Sequence, residues 1–287
     1  MIQEPGVDIG ELIMHHTADA YTLDFSPLFR WDYGQFLPDV HVGPLAFNLT
    51  PTKHAFFMML AALLVFLTMW LAGRALERQR AHERAPRGVA GMVEALVLWV
   101  RDDIAIANIG HHGAAFAPYI MALFFFLLYG NLLGLLPWGA SATGNLAVTG
   151  ALAIIAFLVI EISGMRALGL RGYLRTIFPP IPGMKGPAAA LISVAMAPIE
   201  FLGKLVKPFA LCVRLFGNMT AGHFVILALF GLIFMFGQLA LWRWAIALGS
   251  ASLVLGIMLL EIIVAFVQAY VFSLITAVLI GVNQHAH

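Results

Sequence analysis

The sequence predicts an all-α protein that crosses a membrane about five times. Composition, the length of the apolar stretches and the placement of charge support this prediction. Hydrophobic residues make up 61% of the 287 residues and charged residues only 11%, against roughly 25% charged residues in an ordinary soluble domain. The net charge of +1 offers nothing that would attract nucleic acid. The single cysteine, Cys212, excludes an internal disulfide and a cysteine-based metal site, and we expect neither a metal nor another cofactor.

Residues 1–50 form a polar, acidic segment that we expect to lie outside the bilayer. No short apolar stretch with a small-residue cleavage site opens the chain, so we expect no removable signal peptide. One base, Arg30, stands against seven acids: Glu4, Asp8, Glu11, Asp19, Asp24, Asp32 and Asp39. Residues 51–287 are expected to form the membrane domain.

The first three predicted spans lie near residues 56–73, 114–136 and 146–165. The first has eighteen residues without a charge, close to the ~20 that a spanning helix requires. The second and third are joined by the turn-forming sequence "PWGASATGN". Near residues 88–106, apolar residues recur at helical spacing among charged ones, which predicts an amphipathic interfacial helix.

Two arginine-rich segments predict the orientation in the membrane. The positive-inside rule places both on the cytoplasmic side, with the N-terminus outside. With five spans, the C-terminus is then cytoplasmic. The arginines are Arg74, Arg78, Arg80, Arg84, Arg87 and Arg101 in the first segment, and Arg166, Arg171 and Arg175 in the second.

The last two apolar stretches, near 188–237 and 239–282, are too long for ordinary spans. Each would be roughly 65 to 75 Å long as one helix, about twice the ~30 Å hydrocarbon core. Each stretch therefore either breaks into two helices or lies steeply tilted. Pro198, Pro208, Gly217 and Gly231 permit breaks without forcing them, so the residues alone leave both possibilities open.

Ionisable residues interrupt these stretches at a cost of at least ~2.5 to 3.5 kcal/mol each, which makes each one a functional hypothesis. They are Glu200, Lys204, Lys207, Arg214 and Glu261. At 100° per residue, Glu200, Lys207 and Asn218 fall on the same side of a helix as Arg214, in a stripe roughly 27 Å long. His223 points to the opposite side. Glu261 and Gln268, seven residues apart, share a face.

Structural explanations compete with the functional ones. Lys204 and Lys207 are long enough to reach the membrane interface, Glu200 is spaced to pair with Lys204, and His223 fits a hydrogen-bonded core position. Arg214 is different because it lies too deep in the apolar stretch to reach the membrane interface, and its guanidinium is always protonated. An anion from its own helices, from water or from a partner chain must balance it.

The sequence "KPFALCVRLFGNMTAGH", residues 207–223, resembles the signature of subunit a of F-type ATP synthases. The resemblance extends to "NLLGLLPW" at 131–138, "APIEFLGKLVKP" at 197–208 and "VQAYVF" at 267–272. It covers most of the chain from about residue 48 onward and leaves out the first 47 residues. It implies a non-catalytic stator subunit that conducts protons, with two unbroken, nearly horizontal C-terminal helices.

The resemblance also assigns roles to residues. Arg214 matches the essential arginine that separates two aqueous half-channels, and Glu200 would line the inner one. The outer half-channel would contain His223, Glu261, Gln268 and Asn218, with Asn131 and Lys207 as polar support. The family commonly carries glutamate at position 223 and histidine at 261. Here the two are exchanged, as in mitochondrial relatives.

The implied partners are the ring of c subunits, b-type peripheral stalk subunits, other ATP synthase subunits and the lipid bilayer. Nucleotide chemistry would belong to other subunits, because the chain has no "GxxxxGK" phosphate loop. The expected location is a bacterial inner membrane, with another energy-transducing membrane as the alternative. Two rival hypotheses are a proton-coupled transporter, which the missing internal repeats disfavour, and a purely structural membrane scaffold.

Overall fold

The computed structural model describes residues 21–25, 29–32, 34, 39–42, 45–48, 50–82, 89–136, 139, 141–178, 186–235 and 243–284. Several residues used in the sequence predictions lie outside these ranges. They are Glu4, Asp8, Glu11 and Asp19 of the N-terminal segment, together with Arg84 and Arg87 of the first arginine-rich segment.

The described part of the N-terminal segment contains two antiparallel hairpins, which the sequence analysis did not predict. Strand β1 (Thr22–Phe25) pairs with β2 (Phe29–Asp32), and β3 (Asp39–Val42) pairs with β4 (Leu45–Asn48). Valine and aromatic residues recur in these strands, as is usual for extended structure. Each strand has only four residues, so the signal was too short to stand out beside the apolar helices.

From residue 53 onward, the part of the chain that the structure describes is almost all helical. Its α-helices are α1 (Lys53–His82), α2 (Val89–Trp99), α3 (Ala107–Ile109), α4 (Gly113–Gly134), α5 (Leu146–Ile177), α6 (Pro187–Met235) and α7 (Arg243–Gln284). Five of them, α1, α4, α5, α6 and α7, are long and apolar enough to cross a membrane. The prediction of an all-α polytopic membrane protein is therefore confirmed.

A π-helical segment, Val100–Ile106, joins α2 to α3. The wider turn of a π-helix leaves carbonyl groups without their usual α-helical donors. The side-chain amide of Asn108 compensates by donating to the carbonyl oxygens of Asp103, at 3.0 Å, and Ile104, at 2.9 Å. Val100, Ile104 and Ala105 are buried, so this segment packs one face against the protein.

Helices α6 and α7 run unbroken for 49 and 42 residues, which answers the question that their length raised. Pro198 and Pro208 lie inside α6 without ending it. A proline removes one hydrogen bond, whereas a full break would expose several backbone groups to the apolar surroundings. Helices of roughly 74 and 63 Å fit a ~30 Å hydrocarbon layer only when strongly inclined.

The chain divides into two compact units, and both long helices contribute to each. The first unit comprises Met1–Leu64, Leu127–Asn145 and Leu215–Val267, and the second comprises Val65–Phe126, Leu146–Arg214 and Gln268–His287. In the second unit Trp99 stacks on Tyr270, with ring centroids 5.4 Å apart, and meets Phe124 edge-on. In the first, Phe57, Leu127 and Leu215 are buried.

Candidate functional site

Arg214 lies on α6 with its side chain exposed. Within the part of the chain that the structure describes, no carboxylate comes within 4 Å of its guanidinium. Asn218, one turn further along α6, is exposed as well. Lys207, two turns before Arg214, and Glu200, four turns before it, are also exposed. The polar stripe predicted from helical spacing is thus turned away from the protein's own core.

Apolar residues surround this stripe on the same exposed surface of α6. Val206, Phe209 and Val213 are all more than two-fifths exposed. A guanidinium among exposed apolar side chains is costly in lipid. Either a lipid headgroup or a partner chain that carries an anion must accompany it, so Arg214 has the setting expected of a residue that faces another subunit.

Glu261 of α7 packs directly against α6 within the first unit. A Cβ atom added at Gly222 would overlap Oε1 of Glu261, so the carboxyl group lies directly against the backbone of this glycine. His223 is the next residue of α6. Both titratable residues that the sequence analysis assigned to an outer half-channel therefore belong to the first unit, and Glu261 lies against the glycine that precedes His223.

Both residues carry buried polar atoms with unused hydrogen-bonding capacity among the described residues. Glu261 is 9% exposed, and neither of its carboxyl oxygens has a hydrogen-bond partner among the described residues. The same holds for Nε2 of His223. Buried polar atoms are normally satisfied, and exceptions concentrate at functional sites. A carboxyl group and an imidazole in this state are suited to taking up and releasing protons.

A chain of hydrogen bonds lies in the same unit. Nδ1 of His54 donates to the carbonyl of Ser141 at 3.0 Å, and the Ser141 hydroxyl bonds Thr143 at 2.8 Å. Thr143 donates to Oδ1 of Asn131 at 2.6 Å, and Asn131 donates to the carbonyl of Ala265 at 3.4 Å. Asn131 is therefore a fully buried link between α4 and α7. His54, which the sequence analysis overlooked, is also within electrostatic range of His223.

Gln268 belongs to the second unit and is likewise buried, at 9% exposure. It follows Glu261 by seven residues on the unbroken helix α7, so the two side chains leave the helix on the same side. Both are buried, as residues on one inward face should be.

The second unit contains an ionisable cluster that the sequence analysis missed. Glu161 of α5 is buried, accepts a hydrogen bond from the Tyr173 hydroxyl, and lies 3.6 Å from the ammonium of Lys204. Pairing of Glu200 with Lys204, one alternative that the sequence left open, does not occur. The available signal was Glu161 itself, a lone acid inside the third predicted span, which the cost of burying charge should have flagged.

Comparison with known proteins identifies the family. Residues 55–281 match the family model described as ATP synthase A chain. The chain is 42% identical to ATP synthase subunit a of Anaeromyxobacter dehalogenans (strain 2CP-1), over 97% of this chain and 71% of that protein. It is also 42% identical to the Chloroherpeton thalassium subunit, over 93% of this chain and 75% of that protein. The Myxococcus xanthus subunit is 44% identical, with 88% and 78% covered.

Both kinds of comparison agree with the resemblance carried by the sequence around Arg214. The matched region includes the five long apolar helices almost entirely. The chain therefore belongs to the ATP synthase A chain family, the non-catalytic membrane stator subunits of F-type ATP synthases.

Proposed function

We propose that this subunit forms two aqueous half-channels against a rotating ring of c subunits, with Arg214 as the gate that ties proton flow to rotation and ATP synthesis. The ring would carry one membrane-embedded carboxylate per subunit. Subunits of the b type would hold the stator in place through the peripheral stalk.

The observation that carries this proposal is the exposure of Arg214 on an apolar face of α6 without a carboxylate partner in the described chain. A ring carboxylate is the anion that such a position requires. At about 4 Å and an effective dielectric constant near 20, the pair gains ~4 kcal/mol. This favours the ionised carboxylate by roughly a thousandfold, so a ring subunit that arrives at Arg214 gives up its proton.

The outer half-channel is proposed to deliver protons through His223 and Glu261, with Asn218 and Gln268 as hydrogen-bonding groups. The carboxyl oxygens of Glu261 and Nε2 of His223 are buried without hydrogen-bond partners among the described residues. This supports the role, because a group locked in strong hydrogen bonds exchanges protons slowly. A ring carboxylate protonated there turns toward lipid, where desolvation favours its neutral form.

The inner half-channel is proposed to pass Glu200, which precedes Arg214 on the exposed stripe of α6. A proton released near Arg214 would leave by this route. The fixed charge of Arg214 repels protons that attempt to cross directly. Lysine would serve less well, because a desolvated ammonium can lose its proton and permit leakage. Each proton that crosses ~100 mV supplies ~2.3 kcal/mol.

The proposed location is a bacterial inner membrane with the N-terminus outside and the C-terminus in the cytoplasm. The two arginine-rich segments support this orientation through the positive-inside rule. It gives the outer half-channel access to the compartment of high proton concentration during ATP synthesis.

Arg214→Ala in the assembled complex tests the gate. ATP-driven proton pumping and passive proton leak are measured in membrane vesicles and normalised to the amount of complex. Arg175→Ala is the matched control, because Arg175 is exposed at the end of α5 and belongs to no proposed channel. We expect Arg214→Ala to abolish pumping while the complex still assembles, and the control to pump normally.

Parental pumping by Arg214→Ala would contradict the gate and would favour a structural scaffold. An increase in passive leak would further support the separation of the two half-channels. Proton transport by the chain without any other ATP synthase subunit would instead favour the transporter hypothesis.

A further inference from the structure

The ionisable cluster of the second unit depends on a kink in α5. Gly169 has φ 68° and ψ 166° inside this helix, a conformation that is essentially restricted to glycine. In a straight helix, Glu161 and Tyr173 would be separated by about 18 Å along the axis, too far for their side chains to meet. The kink brings Tyr173 back, and its hydroxyl donates to Oε2 of Glu161.

Three groups of α5 thereby converge on one point. They are the Glu161 carboxylate, the aromatic face of Tyr173 and the hydroxyl oxygen of Thr176. The Thr176 hydroxyl donates to the Tyr173 carbonyl at 2.8 Å, which leaves its oxygen free to accept another hydrogen bond. An anion, an aromatic face and a neutral acceptor are together suited to an ammonium group. We call this set the ammonium cage.

Lys204 of α6 occupies the ammonium cage. Its Nζ lies 3.6 Å from Oε2 of Glu161, donates to Thr176 Oγ1 at 2.9 Å, and sits 4.6 Å from the centre of the Tyr173 ring. The side chains of Glu161 and Lys204 are only 10% and 15% exposed. Removing one member of such a pair leaves the other charge buried without compensation.

The described residues cover little of this part of α6. Residues 199–207 of α6 are exposed apart from Lys204. Eight residues beyond Lys204, Sγ of Cys212 donates a weak hydrogen bond to Thr149 Oγ1 of α5, at 3.5 Å. A helix held mainly by apolar contacts slides or rotates at low cost. An ion pair with fixed geometry specifies one axial position and one rotation of the helix.

We propose that the ammonium cage is a positioning site that fixes the axial and rotational setting of α6, and hence of Arg214, ten residues beyond Lys204. This inference rests on the proposed function, in which Arg214 must meet a ring carboxylate. A slip of one helical turn would displace Arg214 by ~5.4 Å, more than the separation at which the two charges act as a pair.

Disulfide mapping in the assembled complex tests the setting directly. A cysteine replaces Val213, an exposed neighbour of Arg214, in a Cys212→Ser background. Single cysteines are placed at successive positions of the outward-facing helix of the c subunit. The ring position with the highest cross-link yield reports the setting of α6. ATP-driven pumping per complex is measured in parallel on the same variants without the added cysteines.

We expect Lys204→Met to lower the yield at the parental position several-fold, to shift or broaden the profile along the ring helix, and to reduce pumping per complex. Lys204→Arg should keep the parental profile, because a guanidinium also binds a carboxylate and an aromatic face. Arg175→Met, which removes an exposed charge from α5, is the matched control and should change neither measurement.

If Lys204→Met does not assemble, Tyr173→Phe provides the test instead. This variant removes one hydroxyl and retains the ring and both charges. We expect a small shift of the cross-link profile along the ring helix. Parental profiles and pumping in the variants that assemble would overturn the inference while leaving the gate intact. Absence of cross-links in the parent would overturn the ring-facing assignment of α6, and this inference with it.

Discussion

Two buried glutamates, Glu161 and Glu261, occupy contrasting environments. Glu161, at 8% exposure, is tied to Tyr173 and Lys204. Glu261, at 9% exposure, packs against Gly222 with neither carboxyl oxygen hydrogen-bonded among the described residues. Burial is nearly the same, so the difference lies in the partners.

In the proposed mechanism, this difference separates a structural carboxylate, Glu161, from an exchangeable one, Glu261. A carboxylate held by a cation and a hydroxyl has fixed partners, and its loss would leave the buried cation without compensation. A buried carboxyl group without such partners has no counter-ion or hydrogen bond to break when its proton is exchanged, which suits a group that must pass protons. The first arrangement fits an anchor and the second a relay.

Glutamine substitution at each position should separate the two roles. Glu261→Gln removes the titratable group at little structural cost, and we expect proton-driven ATP synthesis per complex to fall by ~10²-fold with normal assembly. Glu161→Gln leaves Lys204 buried without its counter-ion, and we expect the complex to lose ~3 kcal/mol of stability. Proton flux and the thermal midpoint of subunit release, measured on both variants, provide the comparison.

The two variants serve as controls for each other, since the chemical change is the same. If Glu161→Gln blocked flux as completely as Glu261→Gln without loss of stability, Glu161 would itself be a relay. The distinction drawn from their partners would then be wrong.

Gly222→Ala should disturb the exchangeable carboxylate through packing alone. The new Cβ would overlap Oε1 of Glu261, and overpacking of this kind costs ~1 to 3 kcal/mol. We expect proton flux to fall about tenfold because the carboxyl group is displaced from its place against Gly222. Glu261→Asp in the same chain shortens the side chain by one methylene and should restore part of the flux.

Gly150→Ala is the matched control, because a Cβ at position 150 meets no atom within 4 Å. Equal effects of the two alanines would show that the loss comes from the helix backbone and not from the carboxyl group. Failure of Glu261→Asp to restore any flux would argue against the same steric explanation.

Sequence reasoning predicted the helical membrane fold because its signals are local. Apolar length, turn residues and the position of arginines are read from neighbouring residues, and five long apolar helices follow. The stripe around Arg214 was also predictable, since helical spacing alone places Glu200, Lys207 and Asn218 beside it. The unbroken course of α6 and α7 was not decided by local signals, because proline and glycine permit a break without requiring one.

Helical spacing could not predict the partners of the buried polar groups. Lys204 pairs with Glu161, 43 positions earlier in the chain, instead of with Glu200 four positions away. That choice depends on the kink at Gly169. The contact of Glu261 with Gly222 and the link from Asn131 to Ala265 likewise join residues distant in sequence. The roles assigned to Arg214, His223, Glu261, Gln268, Asn218 and Glu200 stay predictions.

Gly169→Ala should weaken the anchor without touching any charged group. An alanine at φ 68° and ψ 166° is expected to cost ~1 to 3 kcal/mol, whether it is strained in place or straightens α5 and withdraws Tyr173 from Glu161. We expect a lower thermal midpoint of subunit release. Gly150→Ala again supplies the control, since position 150 lies in α5 with helical geometry. An unchanged midpoint would mean that the kink does not hold the ammonium cage together.

The smallest expected effect concerns the hydrogen-bond chain behind the exchangeable carboxylate. Thr143→Val keeps the volume of the side chain but removes the donor to Oδ1 of Asn131, which is 2.6 Å away and buried. An unsatisfied buried acceptor costs about 1 kcal/mol or more. Asn131 would then hold the Ala265 carbonyl less firmly, and that carbonyl lies one turn beyond Glu261 on α7. We expect flux to fall about twofold, with Thr276→Val as the control because the buried Thr276 donates to the Phe272 carbonyl of its own helix. A loss of flux restricted to Thr143→Val would show that proton transfer through Glu261 needs a rigid support, even though the carboxyl oxygens themselves are unbound. Equal losses in both variants would show that the hydrogen-bond chain has no part in the mechanism.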